Sequence, residues 1–145
     1  MYRSAAAKQS FLEAPNFNGN AEKTVILVKA TSNGCLGKTL ELFENRGYRI
    51  LALKQVFPSR DHLEKHFQEQ KKHSSFHSLI DWWLSGPIVV IVLQGINIVE
   101  QSHSMLKDKW YQRNFDGFCH ISISETPAAA VRQNSHWFDA DELTD

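Results

Sequence analysis

The spacing of apolar residues along the chain predicts alternating strands and helices. A run of branched apolar residues at 24–29 predicts a strand buried on both faces, and residues 88–94 form the most strand-like segment. Apolar side chains at 36–43 follow with helical spacing, and Gly47 stands where a helix commonly ends in a left-handed residue. The predicted elements are strands at 24–29, 48–57, 88–94 and 118–124, and helices that include 36–43, 63–67, 76–84 and 97–106, with a last helix from 127.

Helix start signals support this order of elements. Ser59 is a suitable N-cap for the helix that carries Leu63 and Phe67, and Thr126-Pro127 is a cap followed by a first-turn proline. The resulting order is β, α, β, two helices, β, α, β, α. This order predicts an α+β domain on a four-stranded sheet with helices on one face, in the split βαβ arrangement.

The first 22 residues lack this periodicity. They are small and polar and include Pro15, so we predict a flexible N-terminal arm at 1–22 and one domain at 23–145. The basic start is free of acids until Glu13, as in some organelle leaders, but it lacks amphipathic length. The longest apolar run, 88–93, is too short to span a bilayer. We therefore expect a cytoplasmic protein with no membrane partner.

Composition and charge restrict the function further. The chain has 145 residues with 42% hydrophobic residues, enough for one domain with a packed core. Lys+Arg 16 balance Asp+Glu 16, so no long-range field would gather a phosphate backbone, and we expect no nucleic-acid partner. The two cysteines, Cys35 and Cys119, lie far apart in a chain without a secretory signal, so we expect two reduced thiols.

A glycine-containing segment after the first strand is a candidate phosphate-binding loop. Gly34-Cys35-Leu36-Gly37-Lys38-Thr39 follows a strand and opens a helix, as a P-loop does. A full P-loop needs a glycine at the position of Ser32, because backbone N–H groups must approach phosphate without obstruction. That glycine is missing, so we predict that Gly37-Lys38-Thr39 only starts a helix.

Histidines and aromatic residues offer further candidate sites. His62/His66 and His73/His77 have the i, i+4 spacing that places two imidazoles on one helical face. No cysteine or acidic residue supplies a third ligand nearby, so we expect solvated or half-buried histidines and no metal site. The aromatic residues expected in the core are Phe43, Trp82, Trp83, Trp137 and Phe138. Trp110 and Tyr111 lie in a polar stretch and are expected on an exposed contact surface.

Several blocks of the sequence, in this order and spacing, resemble the nucleoside diphosphate kinase family. Examples are Leu84-Ser85-Gly86-Pro87 and Asp116-Gly117-Phe118-Cys119. The other blocks lie at 23–29, 42–54, 88–90, 95–99, 105–106, 137–138 and 142–143. The resemblance implies a ferredoxin-like βαββαβ four-stranded antiparallel sheet with additional helices, in agreement with the predicted elements.

The resemblance also implies a nucleotide pocket. The positions that match pocket residues of the family, and that we predict as nucleotide-binding, are Lys29, Phe67, Phe76, Leu79 and His103. Several of them have changed chemistry: Phe67 stands where the family has a tyrosine, and His103 stands where it has a phosphate-binding arginine. Phe115 falls at the second arginine, and Ser75 replaces a base-stacking phenylalanine.

The family transfers a phosphoryl group through a nucleophilic histidine, which sits in a motif of asparagine, histidine and then Gly-Ser-Asp. Here Ser124-Glu125-Thr126-Pro127 leads directly into the last helix, and neither His120 nor His136 is at the matching place. We therefore interpret the chain as an inactive domain, without catalytic or metal-binding residues, that acts in oligomerisation or protein interaction. The expected partners are a second copy or active family members.

Two alternatives remain from the sequence. One is an active kinase that transfers the terminal phosphate of ATP to nucleoside diphosphates, and the other is a module that binds nucleoside di- or triphosphates weakly. Only these alternatives would need a cofactor, Mg²⁺ bound with the nucleotide.

Overall fold

A computed structural model of the chain describes residues 21–30, 35–107 and 121–143. These ranges contain four strands, five α-helices and two short 3₁₀ helices. The strands are β1 (Ala21–Lys29), β2 (Arg49–Val56), β3 (Ile88–Ile96) and β4 (Ile121–Ile123), and the helices are α1 (Cys35–Asn45), α2 (Arg60–His66), α3 (Phe76–Leu84), α4 (Ile98–Lys107) and α5 (Pro127–Trp137). The 3₁₀ helices are Gln68–Gln70 and Ala140–Glu142. Every predicted element in these ranges is present, so the α+β class is confirmed.

The predicted helix boundaries follow from local hydrogen bonds. The Ser59 side chain accepts a bond from the His62 N–H at 3.1 Å, and Thr126 accepts from the Ala129 N–H at 3.0 Å. Each bond satisfies a backbone donor that the first turn of a helix leaves unpaired. Gly47, after α1, has a φ of 86°, which a residue without a Cβ adopts at little cost.

The strands form one antiparallel sheet in the order β2-β3-β1-β4. The central pair β1 and β3 aligns over its full length, with Val25 opposite Val92. The β2–β3 register shifts by one residue between Ile50 and Ala52, which marks a bulge. Among the described strands, β2 forms one edge of the sheet and pairs only with β3. This is the four-stranded antiparallel arrangement that the sequence predicts.

Helices cover both faces of the sheet, so the prediction of helices on one face is wrong. Ile26 and Val28 of β1 belong to a buried cluster with residues of α1 and α4, whereas Val25 and Leu27 belong to a second cluster with residues of α2 and α3. Consecutive apolar residues in β1 and β3 point alternately to the two faces, so each face needs its own cover. Trp137 at the end of α5 completes the second cluster.

Strand β1 includes two residues, Ala21 and Glu22, that the prediction assigns to the N-terminal arm. β1 starts at Ala21, because Ala21 pairs with Ile96 and Glu22 with Gly95 at the far end of β3. The rest of the predicted arm, residues 1–20, lies outside the described residues. No helix in the described ranges is long and apolar enough to cross a membrane.

Two expectations about single residues are corrected. Cys35 is disulfide-bonded, so the prediction of a reduced thiol is wrong. The separation of two cysteines along the sequence does not limit whether the fold brings their thiols together. The other cysteine, Cys119, lies outside the described residues. His66 is fully buried, whereas His73 and His77 are exposed and His62 is half-buried, as expected. Gly37, Lys38 and Thr39 lie inside the start of α1, in agreement with the prediction of a helix start.

Candidate functional site

A cavity of about 520 Å³ opens between the end of α2, α3, α4 and the β4–α5 connection. Six of the described side chains that line it are apolar and four are polar or charged. They are Phe67, Leu79, Trp82, Trp83, Ile121 and Ile123, and Gln70, His103, Ser122 and Glu125. A concave, largely apolar cavity with a few polar groups is typical of a small-molecule site.

Three aromatic rings form one wall of the cavity. Phe67 and Trp83 are buried and stack with ring centroids 5.9 Å apart and planes 29° apart. Trp82 meets Trp83 edge-on at 4.8 Å and stays 38% exposed. The wall therefore combines a rigid buried pair with one ring that is open to solvent, a surface suited to a flat aromatic ligand.

Lys29 reaches this wall indirectly. It is buried at the end of β1, donates a hydrogen bond to the Ser85 Oγ, and places Nζ 4.4 Å from the centre of the Trp82 ring. Burial lowers the pKa of the Lys29 ammonium, and the cation–π contact offsets part of its desolvation. Lys29 thus supports Trp82 but does not line the cavity.

His103 is the one histidine among the described lining residues. It projects from α4, and its Nε2 lies 3.0 Å from the Ser124 carbonyl oxygen. Because a carbonyl only accepts, Nε2 carries the proton and donates, which leaves Nδ1 as the unprotonated nitrogen of the neutral ring. The bond ties α4 to the end of β4.

Ser124 is fully buried between Ile123 and Glu125, two residues that line the cavity. Its Oγ accepts from the Val25 N–H at 2.9 Å and donates to Gln133 Oε1 at 2.6 Å. Gln133, which is also buried, donates from Nε2 to the His66 carbonyl at 3.2 Å. The Ser124 hydroxyl therefore satisfies the Val25 N–H of β1 just beyond the last residue of β4. Through Gln133 it also links the sheet to α5 and to the end of α2.

The cavity carries one carboxylate among its described lining residues. Glu125 is exposed, follows Ser124 in the turn before α5, and accepts a hydrogen bond from the Gln70 amide nitrogen. None of the described lining residues is a lysine or arginine. The part of the cavity surface that these residues form is therefore mostly apolar, with a carboxylate at its rim.

The structure brings together three of the five predicted nucleotide-binding residues: Phe67, Leu79 and His103. Phe76 lies in the second core cluster, 3% exposed and away from the lining, because its helix position faces the sheet. Lys29 contributes through Trp82, as described above.

The sequence interpretation missed several lining residues. Phe43, Trp83, Trp137 and Phe138 are buried in the core, as predicted, and Trp83 also lines the cavity. Trp82 is not a core residue, because it is 38% exposed where it lines the cavity. Adjacent residues on an α-helix point about 100° apart, so only one of the tryptophan pair faces the core. Gln70, Ser122 and Glu125 carried no signal in the sequence, because turn and edge positions have no periodicity. Trp110, Tyr111, Phe115 and His120 lie outside the described residues.

His136, also considered as a replacement nucleophile, lies elsewhere. Its ring stacks on His62 with centroids 3.6 Å apart, and its Nε2 lies 2.7 Å from the His62 carbonyl oxygen. Within the described ranges, no three His, Cys, Asp or Glu side chains are grouped as a metal site would require.

Comparison with known proteins identifies the family. The family model described as "Nucleoside diphosphate kinase" matches residues 22–114. A nucleoside diphosphate kinase of Drosophila melanogaster is 37% identical over 137 residues, which cover 86% of this chain and 90% of that protein. The chain belongs to the nucleoside diphosphate kinase family.

Other members of the nucleoside diphosphate kinase family agree in sequence and fold. The nucleoside diphosphate kinase of Brugia malayi is 31% identical over 84% of this chain and 88% of its own length. The solved nucleoside diphosphate kinase of Aquifex aeolicus superposes with a TM-score of 0.75 at 25% identity, covering 86% of this chain and 99% of that one. The ferredoxin-like fold implied by the resemblance is thereby confirmed.

Proposed function

We propose that this family member does not transfer phosphoryl groups and acts through its association with other protein chains. The observation that carries the proposal is the cavity wall between β4 and α5. It presents Ser122, Ile123 and Glu125, and its neighbour His103 uses Nε2 in a bond to the Ser124 carbonyl. A phosphoryl-accepting histidine needs an unprotonated ring nitrogen and a phosphate held in line with it. Nδ1 of His103 remains unprotonated, but none of the described lining residues is a lysine or arginine that would hold a phosphate beside it.

The charge of the cavity supports the same proposal. Phosphoryl transfer depends on positive groups around the phosphates, since the chemistry is mainly positioning and electrostatic stabilisation. Of the described lining residues, none is a lysine or arginine and one, Glu125, is a carboxylate. The matched family region also ends at residue 114, before β4 and α5. No step is assigned to a metal, because the described residues offer no cluster that would hold one.

A phosphoryl-transfer assay tests the inactive state. We expect purified protein to show no ATP-to-diphosphate transfer and no acid-labile phosphohistidine, under conditions where an active family member shows both. His103→Ala is the matched variant and should behave as the wild type. Activity in the wild type that disappears in His103→Ala would show instead that the chemistry has moved to His103.

The open edge of the sheet supports association. β2 pairs with β3 on one side only among the described strands, and Leu53 on β2 is 44% exposed. Phe57, just after the strand, is 80% exposed. An edge strand with unpaired backbone groups and exposed apolar side chains is a template for a further strand.

We assign this edge to a second chain of the same fold. An antiparallel strand is self-complementary about a twofold axis, so β2 of one copy fits β2 of another. The only basic side chain in the middle of β2, Lys54, is paired with Glu142 at 2.9 Å, which reduces repulsion between two copies. Mixed assembly with an active family member would use the same edge.

Measurement of mass in solution tests this interface. We expect the wild type to form a dimer or larger assembly, and the double variant Leu53→Glu/Phe57→Glu to dissociate at least about tenfold more readily, since interface centres carry most of the binding energy. Val131→Glu is the control, because Val131 is 67% exposed on α5 and this variant places a glutamate on an exposed apolar position away from β2. A monomeric wild type, alone and co-expressed with an active relative, would contradict the proposal.

The remaining expectations from the sequence stay proposals. These are nucleotide contacts by Phe67, Leu79 and His103, a domain at 23–145 and a cytoplasmic location. The cavity favours the weak-binding alternative as a second function, since Phe67, Trp82 and Trp83 give it an aromatic wall suited to a planar base.

A further inference from the structure

We propose that the cavity prefers a flat aromatic ligand that carries no phosphate, such as an uncharged nucleoside, over the phosphorylated forms of the same ligand. This inference rests on the proposed absence of phosphoryl transfer and specifies what the remaining site binds. Its basis is the combination of the aromatic wall and the sign of the charge that the described residues place at the rim.

The aromatic wall provides the contact surface. The Phe67–Trp83 pair is fixed by burial, and Trp82 stands beside it with over a third of its surface exposed. Leu79 and Ile123 complete the apolar lining. A planar heterocycle on such a surface gains stacking energy without the need for hydrogen bonds to a particular base edge.

The charges disfavour a phosphate chain. Glu125 is the one carboxylate among the described lining residues, and no described lysine or arginine lines the cavity. The Lys29 ammonium is held over Trp82 and by Ser85. Phosphates placed in the cavity would therefore face a like charge without a cationic partner from these residues.

Calorimetric titration with adenosine, ADP and ATP, with and without Mg²⁺, tests the preference with probes that differ only in their phosphates. We expect adenosine to bind at least about tenfold more tightly than ATP. Trp82→Ala should lower the affinity for adenosine at least about fivefold, because it removes a stacking surface. Trp82→Phe keeps an aromatic ring and should lose less affinity than Trp82→Ala. Because Trp82 is a partly exposed residue, the fold should tolerate both variants.

The charge effect is tested by Glu125→Gln. This variant should narrow the ratio of adenosine to ADP affinity at least about threefold, because it removes the like charge at the rim. Glu41→Gln is the matched control, since Glu41 is an exposed carboxylate on α1 that does not line the cavity. It should leave the ratio unchanged.

Three results would overturn the inference: tighter binding of ATP or ADP than of adenosine, no binding of any of the three, or an unchanged ratio in Glu125→Gln. The phosphohistidine assay separates these results from a failure of the proposed function. Preferred binding of ADP without phosphohistidine rejects only the ligand preference, whereas phosphohistidine in the wild type rejects the proposed function.

Discussion

Acidification from pH 6 to pH 4 is expected to lower the free energy of unfolding by about 1.4 kcal/mol per pH unit through His66 alone. His66 is 1% exposed, and its Nδ1 accepts a hydrogen bond from the Trp137 indole N–H at 2.8 Å. Burial, with smaller contributions from Arg132, His136 and His62, lowers the pKa of His66 to about 3. The folded chain therefore keeps this imidazole neutral.

The sign of the effect follows from the unfolded chain. There His66 binds a proton below about pH 6.5, its ordinary pKa. Between about pH 6.5 and 3 the unfolded state binds more protons than the folded state, so stability is full above this window and falls as the pH falls through it. Burial lowers the pKa of His62 as well, and this second histidine acts in the same direction.

Urea unfolding at pH 4, 5, 6 and 7 measures the slope. His66→Asn removes the titrating group and keeps an acceptor near the position of Nδ1, so it should flatten the slope by about 1.4 kcal/mol per pH unit. His77→Asn is the control, because His77 is exposed on α3 and should leave the slope unchanged. Equal slopes in the wild type and His66→Asn would contradict a buried neutral His66.

Gly95→Ala is expected to destabilise the fold by about 1–3 kcal/mol through overpacking. A Cβ at position 95 would lie 2.3 Å from Tyr48 Cδ1 and 2.8 Å from Cε1. The contacts include Cγ at 3.4 Å, so the whole ring has to move and not only its tip. The Tyr48 ring is also packed against Phe43, with centroids 6.0 Å apart, which restricts that movement.

Thermal or urea unfolding of four proteins tests this contact: the wild type, each single variant and Tyr48→Ala/Gly95→Ala. We expect Gly95→Ala to cost less in the Tyr48→Ala background, because the clash is absent there. Gly37→Ala is the contrasting control, since a Cβ there meets nothing within 4 Å and the residue lies in a helix. It should stabilise the protein by about 0.5–1 kcal/mol. Equal costs of Gly95→Ala in both backgrounds would argue against the clash.

The predicted nucleotide-binding residues differ in how the fold places them. Phe67, Leu79 and His103 are predicted from their match to family positions, and they lie around one cavity, while their contact with nucleotide stays a prediction. Phe76 matches the same family pattern but is buried in the second core cluster. Phe76 and Leu79 lie on the same helix, and only the packing of that helix against the sheet determines which of them faces the cavity. Trp82 and Glu125 were missed, since exposure at a helix flank or a turn depends on what packs beside it.

The sequence by itself determined the identity and order of the elements. Apolar spacing marks the strands and helices, and caps such as Ser59 and Thr126 act within three residues of themselves. Only the tertiary structure determined that helices pack on both faces of the sheet, that His66 is buried against Trp137, and that the Ser124 hydroxyl accepts a hydrogen bond from the Val25 N–H. These contacts join residues 71 and 99 positions apart, and no local pattern encodes which distant side chain completes a site.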